Sequence, residues 1–279
     1  MEYTTKNAPP SDVNQMYMVG RYELLKHLRS KRLYGIIIME ILIVVLMLAV
    51  PPLAGHDYQD DPAMFAGNFF NWVNILIIIG ATLFAGDSLV SEFQNRTGYL
   101  IFPNPVKRTT FFMGKFAATA GIMFMVLVLY YALVSSASLV ITGGVSELTA
   151  GSLGLALLFT ISACGVGYLI SSIMKGSTGA LVFTFALLFM ILPIIDGVFT
   201  FAKVKPDFSL TFVSGAIGCI MQTPYPTDFI RVIDIGGGQT MELATYFPEV
   251  TVAVAVMVVY AVVSVLLAMW FFNRREMVA

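Results

Sequence analysis

Six long apolar runs separated by polar segments organise this chain. They fall near Leu33–Val50, Phe69–Val90, Phe111–Ile141, Leu148–Met174, Gly179–Phe201 and Val250–Phe272. Each approaches or exceeds about 20 residues, the helical length that crosses a hydrocarbon core of about 30 Å. The pattern predicts an all-α membrane protein with six transmembrane helices, a domain over residues 33–279. Pro51-Pro52 should end the first span, and Pro193, which has no backbone donor, should kink the fifth. The third run is longer than a bilayer requires, so it should tilt or extend beyond the membrane.

The polar segments have their own patterns. Residues 1–12, with Pro9-Pro10, are expected to be disordered. Residues 13–32 read as an amphipathic elbow helix. Met18, Tyr22, Leu25 and Leu28 share one face, with Leu24 at its edge, and Glu23, Lys26, His27 and Ser30 lie opposite. A basic amphipathic helix before a span should lie in the membrane interface. Residues 202–249 form a long segment before the last span. Within it Phe208–Met221 is apolar but too short to cross, so it should dip into the interface. Thr223-Pro-Tyr-Pro-Thr-Asp breaks that stretch, and a second helix is expected to lead into the sixth span.

Charge orients the spans. Lys6, Arg21, Lys26, Arg29, Lys31, Arg32, Arg96, Lys107, Arg108, Lys115, Lys175, Arg274 and Arg275 fall on one side, and Lys203, Lys205 and Arg231 on the other. This 13-to-3 division covers all 16 Lys and Arg. The positive-inside rule then places both termini and the 91–112 loop in the cytoplasm, with 202–249 outside.

Composition agrees: 58% of residues are hydrophobic, 12% are charged, and the mean hydropathy is +0.83. A soluble domain has about 25% charged residues. The net charge of −1 implies no nucleic-acid partner. No polar segment is long enough to bury a separate catalytic core. The first apolar run lies too deep in the chain for a cleavable signal peptide. Cys164 falls within a span and Cys219 in an external loop, which argues against a disulfide.

The motifs of common enzyme chemistries are missing. Gly114-Lys115 lacks the upstream glycine and following hydroxyl of a phosphate-binding loop, so the chain should not hydrolyse ATP. Gly236-Gly237-Gly238 reads as a turn. His27 and His56 lie on opposite sides of the membrane, and no Cys/His cluster has zinc-site spacing. The 16 methionines are mostly gap fillers within spans. Three acids fall within spans: Glu40 at hydrocarbon depth, Asp87 near the cytoplasmic end of the second, and Asp196 near the outer end of the fifth. Buried charge is costly and usually turned toward protein or water, so Glu40 and Asp87 are candidates for a pathway or a subunit contact. Ala81 with Ala85, Ala117 with Gly121, and Gly151 with Gly154 allow close helix packing.

The most distinctive segment is Ser91–Lys115. It carries Glu92, Arg96-Thr97, a turn with Leu100-Ile101, Pro105-Val106-Lys107-Arg108, and Gly114-Lys115 entering the third span. This order resembles the loop of the membrane subunit of ATP-binding-cassette type-2 exporters. Arg21-Tyr-Glu-Leu-Leu-Lys-His-Leu-Arg-Ser-Lys-Arg is similar to that family's elbow helix. Pro103 beside Pro105 departs from the pattern and should end the coupling turn early. The resemblance implies a permease in a prokaryotic plasma membrane, with a second permease subunit, identical or homologous. It also implies two separate ABC ATPase subunits that hold ATP and Mg, with no cofactor in this chain. Glu92, Arg96, Thr97, Tyr99, Leu100, Phe102, Lys107 and Arg108 would couple to the ATPase. Tyr99 and Phe102 would enter a groove, and Arg96, Lys107 and Arg108 would form a charged rim.

A rival reading is a membrane anchor that passes ATPase motion to an external partner at 202–249 without moving a solute. An ion-coupled carrier is disfavoured by the loop and by the lack of a visible internal repeat. The substrate is open.

Overall fold

The computed structural model describes residues 11–95, 107–236 and 239–275. Helix α1 spans Asp12–Leu28, and the Ser11 side chain caps it by accepting from the Asn14 amide. Helix α2 spans Lys31–Leu53, capped by Ser30, which accepts from the Arg32 amide at 3.2 Å. The elbow therefore stops four residues earlier than the pattern predicts. Arg29 and Ser30 form a turn because the serine hydroxyl takes an amide that a continuous helix would bond to backbone.

Pro51 and Pro52 lie inside the last turn of α2 and do not end it. Pro52 cannot donate to the Leu48 carbonyl, and the Tyr58 hydroxyl donates to that oxygen instead, at 2.6 Å. The orphaned acceptor is thereby satisfied.

The second span begins seven residues before Phe69 and is built in three pieces: α3 (Pro62–Phe70), α4 (Val73–Ala85) and α5 (Val90–Gln94). Asp61 starts it by accepting from the Ala63 amide at 2.9 Å, with Pro62 at the first helical position. Between α4 and α5 the Leu89 and Val90 amides leave the helical ladder, and both donate to Ser171 Oγ at 3.0 Å.

Helix α6 (Arg108–Thr142) has 35 residues, about 52 Å of helix, and ends at Gly143 with a left-handed φ of 77°. Helix α7 spans Leu148–Ile173. The fifth span comprises α8 (Ser177–Ala186), a π-helical turn over Leu187–Ile191, and α9 (Leu192–Phe201). The wider turn lies just before Pro193, so the missing donor is absorbed as a local π-turn in the fifth span.

The segment over 202–249 departs from the expected all-helical form. Two short helices, α10 (Leu210–Ser214) and α11 (Ala216–Cys219), are almost fully buried. They are followed by an antiparallel hairpin of β1 (Phe229–Gly236) and β2 (Gln239–Thr245) where a second helix was expected. The β-branched run Ile230, Val232 and Ile233 suits a strand. Lys203 pairs with Glu242, and Lys205 with Asp228 at 3.0 Å, holding the hairpin to the loop after α9. Helix α12 (Val250–Arg274) completes the chain.

Among the described residues, six helical segments are long and apolar enough to cross a membrane, and the chain is a nearly all-α multi-pass membrane protein. The core lies between α3–α4, α6, α7 and α12, where Phe70, Ile77, Phe84, Phe112, Tyr130 and Tyr168 are fully buried. Helix α2 adds only a narrow buried stripe of Leu33, Ile36, Glu40 and Val44. Lys107 pairs with Asp12, and Arg108 bonds the Arg275 carbonyl at 2.8 Å, so the two described ends of the chain meet the start of α6 at one end of the bundle.

Candidate functional site

The site begins with a glycine crossing. A Cβ on Gly114 would come within 2.8 Å of the Met16 carbonyl, and one on Gly20 within 3.2 Å of the Gly114 carbonyl. These two glycines let α1 lie almost backbone to backbone on the start of α6. Helix α1 turns its polar side inward: Gln15, Glu23 and His27 are buried, whereas Tyr22 is 70% exposed and Met18 is 50% exposed. That is the reverse of a soluble amphipathic helix and suits one whose outer neighbour is lipid.

The crossing seats Lys115 between two acids. Its ammonium is 1% exposed and lies 3.0 Å from Glu23 Oε2 and 2.7 Å from Glu92 Oε1. Lys26 reaches Glu23 at 2.9 Å, and His27 Nε2 stands 3.7 Å from Glu23 Oε1. Burial alone would raise the Glu23 carboxyl, but Lys115 and Lys26 outweigh it and hold the group below its ordinary value. For Lys26, burial opposes the charge, and Glu23, with Glu92 and Asp87 behind it, raises the group regardless. Burial pushes His27 down to about 4, only partly opposed by Glu23, so the imidazole is neutral at ordinary pH.

A hydroxyl chain continues inward from the ions. His27 Nε2 lies 3.4 Å from Thr119 Oγ1, which shares a 2.9 Å hydrogen bond with the Tyr168 hydroxyl, which in turn shares one of 2.9 Å with Ser88. On the other flank Arg32 grips Asp87 with two bonds of 3.0 and 2.8 Å, and donates to the Leu83 carbonyl at 2.6 Å. Glu23, Lys26, His27, Arg32, Asp87 and Glu92 line a cavity of about 500 Å³. Among the described residues the cluster holds three carboxylates and three cations, counting Lys115.

Helix α5 is the junction. Three consecutive residues reach three different elements. Glu92 pairs with Lys115 of α6. Phe93 meets Phe272 of α12 edge-on at 5.9 Å and lies under the Arg275 guanidinium at 4.3 Å. Gln94 accepts from the Ser177 amide at the start of α8, at 2.8 Å. Across the loop, Arg108 donates to the Asn273 and Arg275 carbonyls at 3.1 and 2.8 Å, and Lys107 pairs with Asp12 at 2.6 Å.

Of the residues that the sequence singles out, Glu92, Asp87, Lys107 and Arg108 gather at this end of the bundle. Arg96, Thr97, Tyr99, Leu100 and Phe102 lie outside the described residues. Glu40 is elsewhere, buried against the core. Glu23, His27, Thr119, Tyr168 and the role of Lys115 were not anticipated. A lysine inside an apolar run is itself a signal of a buried partner. Glu23 and His27, four apart on the polar side of α1, supply one and its neighbour.

The model of the family described as ABC-2 family transporter protein matches residues 21–214, which take in α1 from Arg21 through α10. None of the curated proteins matches the chain.

Proposed function

The chain belongs to the ABC-2 family of transporter proteins, and from that membership we propose that it is the permease subunit of an exporter, driven through the base of its α5–α6 loop. As a member of that family it is a membrane permease and not itself catalytic. In this reading two separate ATPase subunits bind beneath it, and a second permease, identical or homologous, completes the unit. Both termini lie in the cytoplasm of a cell bounded by the plasma membrane in question. The 13-to-3 distribution of basic residues supports that orientation.

The observation that carries the coupling reading is the junction at α5. Adjacent residues Glu92, Phe93 and Gln94 are tied to α6, α12 and α8 respectively. A displacement of the loop therefore reaches the third, sixth and fifth spans through contacts only one residue apart. Through Lys115 it also reaches Glu23 of α1. Helix shifts of about 1–2 Å at such contacts are an ordinary way to move a bundle between states.

The test is a reconstituted complex with a co-expressed ABC ATPase, trapped with ATP and vanadate. Spin labels at Ile38 and Val182, both exposed, report whether the first and fifth spans move. The wild type should show a distance change on trapping. Phe93→Ala with Gln94→Ala should retain the ATPase yet cut that change by about half or more, whereas Tyr99→Ala or Phe102→Ala should weaken ATPase binding itself. An undiminished change in the Phe93–Gln94 variant sinks the reading.

A further inference from the structure

Glu40 sits in the middle of the buried stripe of α2, four residues after Ile36 and four before Val44. It is 0% exposed, and neither carboxyl oxygen has a hydrogen-bond partner among the described residues. No cation faces it. On its own helix Arg32 is about 12 Å away along the axis and is held by Asp87. Helix α4, packed against α2, carries no ionisable residue between Val73 and Ala85.

From α6, Lys115 is occupied by Glu23 and Glu92, and Arg108 by the carbonyls that end α12. Tyr130 is the α6 group in electrostatic contact with Glu40, and its hydroxyl donates to the Phe69 carbonyl at 2.9 Å. The Tyr131 hydroxyl is shared with Ser152. From α1, Glu23, Lys26 and His27 belong to the ion cluster, and Arg21 and Tyr22 are exposed.

An ionised carboxylate without a donor at this depth costs several kcal/mol or more, so the buried side chain is the neutral acid. The rest of the stripe is Leu33, Ile36 and Val44, while Ile38, Ile41, Leu42 and Val45 on the other faces of α2 are exposed. Helix α2 thus meets the core through this stripe, flanked by the partly buried Ile37, Met39, Ile43, Met47 and Leu48, with an acid at its centre.

We propose that Glu40 is a proton-binding site that links the seating of α2 on α6 to pH. With α2 seated, the carboxyl keeps its proton. When α2 moves off α6, water reaches the group, the O–H bond breaks, the electron pair stays on the carboxylate and the proton passes to water. Reseating takes a proton up again, so each cycle of α2 movement binds and releases one. No relay of further acids is required, because the group itself changes surroundings. The proposal stands apart from the coupling reading, since it needs no ATPase.

The test uses the full chain in phosphatidylcholine vesicles. Dicyclohexylcarbodiimide, which reacts with protonated carboxyls in apolar surroundings, should modify Glu40 at about pH 6, as mapped by peptide mass spectrometry. Modification should fall by about tenfold or more toward about pH 10, and a water-soluble carbodiimide should leave Glu40 untouched at about pH 6. In parallel, spin labels at the exposed positions Leu42 and Met125, on a Cys164→Ala, Cys219→Ala background, report the separation of α2 and α6. It should widen as pH rises in the parent and stay short in Glu40→Gln. The proposal is overturned if Glu40 resists the apolar reagent at about pH 6, if the water-soluble reagent modifies it equally, or if Glu40→Gln follows the parent's pH course.

Discussion

Lys115 and Glu92 stand 23 residues apart in the chain and 2.7 Å apart in space. Their ion pair closes the base of the loop between α5 and α6, and Glu23 of α1 completes a triad around the same ammonium. With only 1% of Lys115 exposed, this pairing is a buried one. Removing the cation leaves two acids facing each other, which costs far more than the pair's net worth.

Lys115→Met should therefore destabilise the protein by about 3–5 kcal/mol, the range for breaking a buried pair. Thermal unfolding in detergent measures it. Adding Glu92→Gln should recover part of the loss, because it removes one of the two like charges that face each other there. A single variant that melts with the wild type would remove the triad from the account of this end of the bundle.

The glycine crossing yields a comparison within one helix. At Gly114 a methyl group would press on the Met16 carbonyl at 2.8 Å, whereas at Gly121 nothing lies within 4 Å. Gly114→Ala should lower the melting temperature and loosen α1, measured by faster proteolysis after Lys26. Gly121→Ala should be neutral or stabilising by up to about 1 kcal/mol, from helix propensity alone. Equal effects at the two positions would contradict close packing of α1 on α6.

His27 sets a pH dependence. Its folded value is about 4 and its ordinary value 6.5, because burial disfavours the imidazolium. The unfolded chain thus binds a proton in the window between them that the folded chain does not. Stability should be complete above pH 6.5 and fall as pH drops toward 4, with a slope of up to about 1.4 kcal/mol per pH unit. Glu23, held below its ordinary value of 4.5, adds to the loss only at lower pH. In His27→Gln the decline between pH 6.5 and 4.5 should flatten in thermal melts recorded across that range.

Orientation is tested by labelling. A cysteine at Asn104 should react only from the cytoplasmic side and one at Gln239 only from outside, as the distribution of Lys and Arg requires. Labelling of both from one side would show that the number of crossings between them has been misjudged.

The six spans were legible because a hydrocarbon environment demands long uninterrupted apolar runs. Helices α6, α7 and α12 begin and end within three residues of the predicted bounds. The early start of the second span was also written locally, in Asp61-Pro62, but Gly67 and Asn68 disguised it as loop. The hairpin at Phe229–Thr245 was less legible, since its ion pairs to Lys203 and Lys205 join positions 39 and 23 residues apart.

Local pattern by itself determined that this chain has six helical runs long and apolar enough to cross a membrane. That property depends on runs of neighbouring residues and on the solvent around them. Only the tertiary structure decided that Gly114 is a crossing point, that Lys115 is shared by Glu23 and Glu92, and that Glu40 has no hydrogen-bond partner among the described residues. Each of these depends on which helix faces which, and at what depth. The energy of a buried charge is set by the few ångströms around it, and those are filled by residues distant in the chain.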